Sequence, residues 1–136
     1  MSSRKAILIR NSSNGKKAIY VDAVNADQIL AFIASSPALT KKFKLITQLI
    51  LEENRPTRDL YDKENFEKGC EHITAMKPAK GKNNPRIYCQ QFSRFDKQLF
   101  VIVMGELLEK KSSQGLSKKE KQIIRRVASY EYEFED

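Results

Sequence analysis

The chain has no tryptophan, one histidine and two cysteines. With His72 alone, an imidazole-built metal site has too few ligands, and a Ser–His or Cys–His nucleophilic pair has little to work with. His72 therefore reads as a strand residue with a local hydrogen bond. Cys70 and Cys89 lack C-x-x-C spacing and read as core thiols rather than a disulfide. Long apolar runs are also missing: none approaches the roughly 20 residues of a membrane helix. The apolar patch at residues 6–9 is too short for a signal-peptide core. These absences predict a cytoplasmic location with no metal and no cofactor. The sequence contains no P-loop, GxGxxG, GxSxG or HExxH pattern, so it lacks the common signatures of nucleotide, serine-hydrolase and zinc-protease chemistry. Glu52 and Glu53 fall at a helix end and read as solvated.

What is present is positive charge. Twenty-five Lys and Arg face 17 Asp and Glu, for a net charge of +8 over 136 residues. With 40% apolar residues, the chain is expected to fold as one domain, 1–136, around a hydrophobic core. Its basic balance points to a polyanionic partner, either nucleic acid or an acidic protein. The charge is clustered. From Lys77 to Phe95 there are five basic residues and no acid, and from Glu109 to Arg126 seven basic and two acidic.

Residues 5–10 and 17–24 read as strands joined by a turn with an Asn14-Gly15 step, an N-terminal hairpin (1–24). Asn25 is the expected cap of a first helix, with Val24 and Ile29 as a hydrophobic staple. Ser36 caps a second helix, with Pro37 at its first position. Leu39, Phe43, Ile46 and Ile50 recur at helical spacing and should face the core. Residues 57–69 read as a polar loop. Strands are expected at 70–76, 86–92 and 99–104, the last central because FVIVM is nearly continuously apolar. Tyr88 and Phe92 share one face of their strand and read as core. Ser117 and Glu120 make a capping box for a basic last helix, in which Ile123, Ile124, Val127 and Tyr130 turn inward. The segment 131–136 reads as an acidic tail. The fold class is α+β: a twisted, mostly antiparallel sheet with two helices packed on one face.

The pieces ALTKKFKLITQLILEE, EHITAMKPAKGKNNPRIYCQQF, LFVIVMGELLEKK and LSKKEKQIIRRVASYEY occur in that order. Together, over residues 37–132, they resemble the RelE/HigB-like toxins of bacterial type II toxin–antitoxin systems, especially the phage-derived HigB-like branch. That resemblance implies a RelE-like fold and a metal-independent, ribosome-dependent endoribonuclease that cuts mRNA. A ribose 2′-OH attacks the adjacent phosphate, an acid protonates the leaving oxygen, and cations hold the developing charge. It implies mRNA, the ribosome and a cognate antitoxin, of helix-turn-helix type, as partners; the lack of a long apolar run predicts no membrane. By the same resemblance Arg86, Lys77, Lys110, Lys111 and Tyr130 are the catalytic candidates. Lys80, Lys82, Lys118, Lys121 and Arg125 are the RNA-binding ones. Lys77 stands where the family commonly has the arginine of a Glu-Leu-Arg-like triplet. The alternative is a non-catalytic nucleic-acid- or protein-binding module of the same fold, including a ParE-type gyrase inhibitor.

Overall fold

The computed structural model describes residues 3–53, 58–64, 66–79, 83–94, 98–109 and 116–135. In chain order the elements are β1 (Arg4–Asn11), β2 (Lys17–Asp22), α1 (Ala26–Ile33), α2 (Pro37–Gln48), β3 (Tyr61–Lys63), β4 (Ile73–Met76), β5 (Arg86–Arg94), β6 (Leu99–Leu108), α3 (Lys118–Ser129) and β7 (Tyr132–Glu135). One seven-stranded sheet runs β3-β4-β5-β6-β2-β1-β7. Four neighbouring pairs are antiparallel, while β2·β6 and β1·β7 are parallel.

The helices split between the faces. Ile29 and Ile33 of α1 and Ile46 of α2 pack on Ile19 and Val21 of β2, Met76 of β4, Ile87 and Cys89 of β5, and Ile102 and Met104 of β6. On the opposite face α3 sets Ile123, Ile124 and Val127 against Ile73, Ala75, Tyr88 and Leu108. Gly105 sits against Val127 of α3. A Cβ there would lie 3.0 Å from Val127 Cγ1 and 3.2 Å from the Tyr88 carbonyl oxygen. The absence of a side chain is what lets helix and strand meet.

Several local readings hold. Ser36 Oγ accepts from the Leu39 amide, with Pro37 following. The Ser117–Glu120 capping box is formed in both directions. Val101 to Met104 are all buried in the central strand. Cys70 and Cys89 are buried free thiols, and Tyr88 and Phe92 lie in apolar clusters.

Other readings change. Asn25 precedes α1 but makes no side-chain cap; its side-chain amide donates to the Gly105 carbonyl at 2.8 Å. The carboxylate of Asp22 instead accepts from the Val24 amide at 2.8 Å and the Asn25 amide at 3.3 Å. Val24 is 70% exposed, so there is no staple with Ile29. The polar stretch read as a loop contains β3, paired with β4 through Tyr61–Met76. Its polar pattern hid an edge strand whose one anchoring group, Tyr61, donates its hydroxyl to Gln91. His72 lies just before β4, and its carbonyl accepts from the Gln91 amide.

The two chain ends also differ from their sequence appearance. The N-terminal hairpin lies inside the sheet, with β2 between β1 and β6. The acidic tail is β7. Flat strands about 4.8 Å apart would hold β7 roughly 19 Å from β5. Yet the Phe134 ring centroid is 5.9 Å from that of Phe92 and 4.2 Å from the Arg94 guanidinium. The sheet therefore curls, and Phe134 closes over Tyr20 at 4.8 Å.

Beneath that curl lies a buried polar network. Asp22, wholly buried, accepts from Arg4 Nε at 2.7 Å and from Tyr132 Oη at 2.7 Å. Burial holds Tyr132, Tyr88 and Tyr61 in the phenol form well above the ordinary range. Tyr130 is pushed up to about 12, first by burial and then by Glu106. Unfolded tyrosines ionise near pH 10. Between pH 10 and about 12 the folded chain thus retains protons that the unfolded chain releases, so stability should fall as pH rises through that window. Absorbance titration at 295 nm, native beside denatured, should show these phenols ionising late; coincident curves would refute the burial argument.

Candidate functional site

The ends of three strands converge at one edge of the molecule. Met76 of β4 pairs with Ile87 of β5, and Arg86, first residue of β5, pairs with Leu108 near the end of β6. The register therefore brings Lys77, Arg86 and Glu109 to the same end of the sheet. This matters because Lys80 and Lys82 fall in the chain between Ala79 and Asn83, and Lys110 and Lys111 directly follow Glu109. Those four lysines lie outside the described residues.

Lys77 and Arg86 line one cleft of about 260 Å³ with Asp59, Ala79 and Asn84. The segment before β3 fixes the lysine. The Lys77 amide donates to the Leu60 carbonyl at 2.8 Å, and its Nζ donates to the Arg58 carbonyl at 2.9 Å. An ammonium has three N–H donors, so a carbonyl contact leaves capacity for an anion. Arg86 is half-buried and held by its own turn: Nη1 donates to the carbonyls of Asn84 and Pro85, both at 3.1 Å. That contact orients the guanidinium while leaving Nε and Nη2 outside it. Asn84 takes φ +42°, a left-handed conformation that asparagine tolerates better than most residues, and its carbonyl is thereby available to Arg86.

Behind Arg86 the strand carries Tyr88, whose hydroxyl donates to Glu120 Oε2 at 3.1 Å. Glu120 is 1% exposed. Its other oxygen accepts from the Ser117 amide at 3.2 Å. A buried carboxylate at the start of a helix is favoured by the helix dipole and by these two donors. The pair ties the N-terminus of α3 to the strand that begins with Arg86. Burial and the negative charge of Glu120 push the Tyr88 phenol up, with Arg86 opposing; Tyr88 is a donor here, not a base.

The remaining candidates lie elsewhere. Tyr130 caps the C-terminal end of α3. Its hydroxyl donates to Glu106 Oε2, which also accepts from Arg126 Nε, and the Arg4 guanidinium lies 3.9 Å from its ring centroid. It does not line the cleft. Arg125 makes a two-pronged contact with Glu67, at 3.0 and 2.7 Å, which holds the Glu67 carboxyl below its usual range. Lys121 lies over the Phe66 ring at 5.9 Å. Lys118 is exposed. The basic helix is thus partly neutralised by partners that sequence distance conceals, since Glu67 lies between β3 and β4 and Glu106 on β6. Among the described residues, no group of three or more His, Cys, Asp or Glu is placed to hold a metal ion.

Comparison with known proteins found no matching family model, no similar curated protein and no similar solved structure. The site's chemistry therefore rests on its own geometry. No helix among the described residues is long and apolar enough to cross a membrane. Sequence reading missed Asp59, because it lay in a stretch taken for loop, and missed the support that Glu120 gives through Tyr88. The i→i+3 capping box was visible, but its link to a residue 32 positions earlier was not.

Proposed function

We propose that the chain is a RelE/HigB-type toxin that binds mRNA phosphate through the Lys77–Arg86 cleft and cleaves the RNA at the ribosome. The reading includes a cognate antitoxin protein that neutralises it. The observation that carries it is the convergence of Lys77 and Arg86 on one small cleft at the end of the sheet to which Lys80, Lys82, Lys110 and Lys111 are joined in sequence. Planar guanidinium and ammonium groups together suit a phosphate whose charge grows as a 2′-oxygen attacks it. In this reading Arg86 and Lys77 hold the phosphate, and Asp59, which lines the same cleft, offers a carboxylate for proton transfer. Tyr130 is a structural residue rather than a proton donor to substrate, because Glu106 already takes its hydroxyl.

The test is induced expression in bacteria, wild type beside Arg86→Ala, following growth and mapping mRNA 5′ ends. Growth arrest with new ends that fall about tenfold or more in the variant is expected, from loss of a charge-assisted phosphate contact. Equal cleavage by soluble wild type and variant would remove Arg86 from the site. A second reading is favoured by the placement of Tyr130 away from the cleft: the same surface would bind RNA without cutting it. Intact mRNA, with RNA affinity that falls steeply with salt and weakens in Arg86→Ala, would select that reading.

A further inference from the structure

A second hollow adjoins the cleft. It has a volume of about 490 Å³ and is walled by Phe32, Leu39, Pro78 and Pro85, with Asn83 and Glu109 among its polar groups. Ala79 and Asn84 line both hollows, so the two meet at the turn between β4 and β5. We infer that this hollow is a nucleobase subsite: it takes the base of a single-stranded RNA nucleotide whose phosphate lies between Lys77 and Arg86. The inference rests on the proposed RNA-binding role and adds to it a place where the strand is gripped through a base.

Three features argue for a base. An occupant joined to an anion next door fits both hollows, since they share Ala79 and Asn84 and the neighbouring cleft holds Lys77 and Arg86. Its apolar walls include one aromatic ring, two prolines and a leucine, a surface that receives a flat apolar face. Bases stack on aromatic rings such as that of Phe32 largely regardless of sequence, with each stack worth about 1–3 kcal/mol. Asn83 and Glu109 carry amide and carboxylate groups of the kind that meet the polar edges of a base, whereas an alkyl chain would leave them facing apolar surface. The site requires an unpaired base, because a base inside a duplex cannot turn its face outward. Phe32, on α1, thereby becomes a binding residue although it lies far in sequence from the basic stretches 77–95 and 109–126.

The experiment uses the full chain and two fluorescent single-stranded RNA pentamers, one intact and one with a central abasic site, titrated at fixed salt. Phe32→Leu keeps an apolar side chain and removes the ring. Ala38→Gln places a neutral, longer side chain at an exposed position on the rim, where a good helix former is tolerated. Each should weaken binding of intact RNA about fivefold and leave the abasic RNA unchanged. Arg86→Ala is the control and should weaken both. Unchanged binding of intact RNA by both groove variants, with Arg86→Ala still weakening it, would overturn the base subsite alone. Failure of wild type to bind either RNA would overturn the subsite together with the reading on which it rests.

Discussion

Asp22→Ala is expected to lower the stability of the chain by about 3–5 kcal/mol, a large share of what a domain of this size has to lose. The wild-type carboxylate is wholly buried and gathers donors from four residues: Arg4, Tyr132, Val24 and Asn25. Alanine removes the acceptor and leaves the guanidinium, the phenol and the two amides beside a small void. A buried charge without its partner is the costly outcome, more so than the lost attraction itself. Tyr132→Phe, which removes one donor and leaves the rest satisfied, should cost only about 1 kcal/mol. Urea unfolding followed by circular dichroism distinguishes them. If Asp22→Ala fell within about 0.5 kcal/mol of wild type, the range of ordinary surface changes, the network would not hold the sheet's far edge.

Glu120→Ala should cost about 2–4 kcal/mol. The substitution removes the reciprocal half of the capping box, which accounts for about 1 kcal/mol. It also leaves the Tyr88 hydroxyl without its acceptor in a buried site, for a further 1–3 kcal/mol. Glu120→Gln keeps an acceptor oxygen at the same reach and should recover most of the loss. Because Tyr88 lies two residues from Arg86, the alanine variant should also loosen the start of α3 from that strand. Hydrogen exchange at Lys121–Ile124 would report it: faster exchange in Glu120→Ala than in Glu120→Gln is expected, and equal rates would sever the link.

Much of this architecture was legible from residue spacing. The apolar stretch around residues 101–104 read as a central strand because a strand covered on both faces has no need of polar alternation. Ser36-Pro37 and Ser117-x-x-Glu120 announced two helix starts through local chemistry alone. What failed was whatever depended on distant partners. Asn25 looked like a cap until Asp22, already buried for Arg4, took the amides. The last residues looked like a solvated acidic tail because glutamates alternate with Tyr132 and Phe134. That same alternation is strand spacing, with Glu133 and Glu135 turned toward Lys5. At the candidate site, Lys77 and Arg86 were singled out by the resemblance, which matched basic residues at strand ends. Asp59 and Phe32 were not, since only folding brings residues from a polar stretch and an early helix to that edge.

The strand order also has a consequence for the path by which the chain folds. β2 pairs with β6, joining residues 17–21 to 100–104, and β1 pairs with β7, joining residues 4–7 to 132–135. The opening hairpin must therefore wait for strands made much later in synthesis before either of its edges is covered. Until then its apolar residues and unpaired amides are exposed to neighbours. Chains rich in such long-range pairings close slowly. Synthesis rate and chaperone supply, more than native stability, should set how much of this protein reaches its final form.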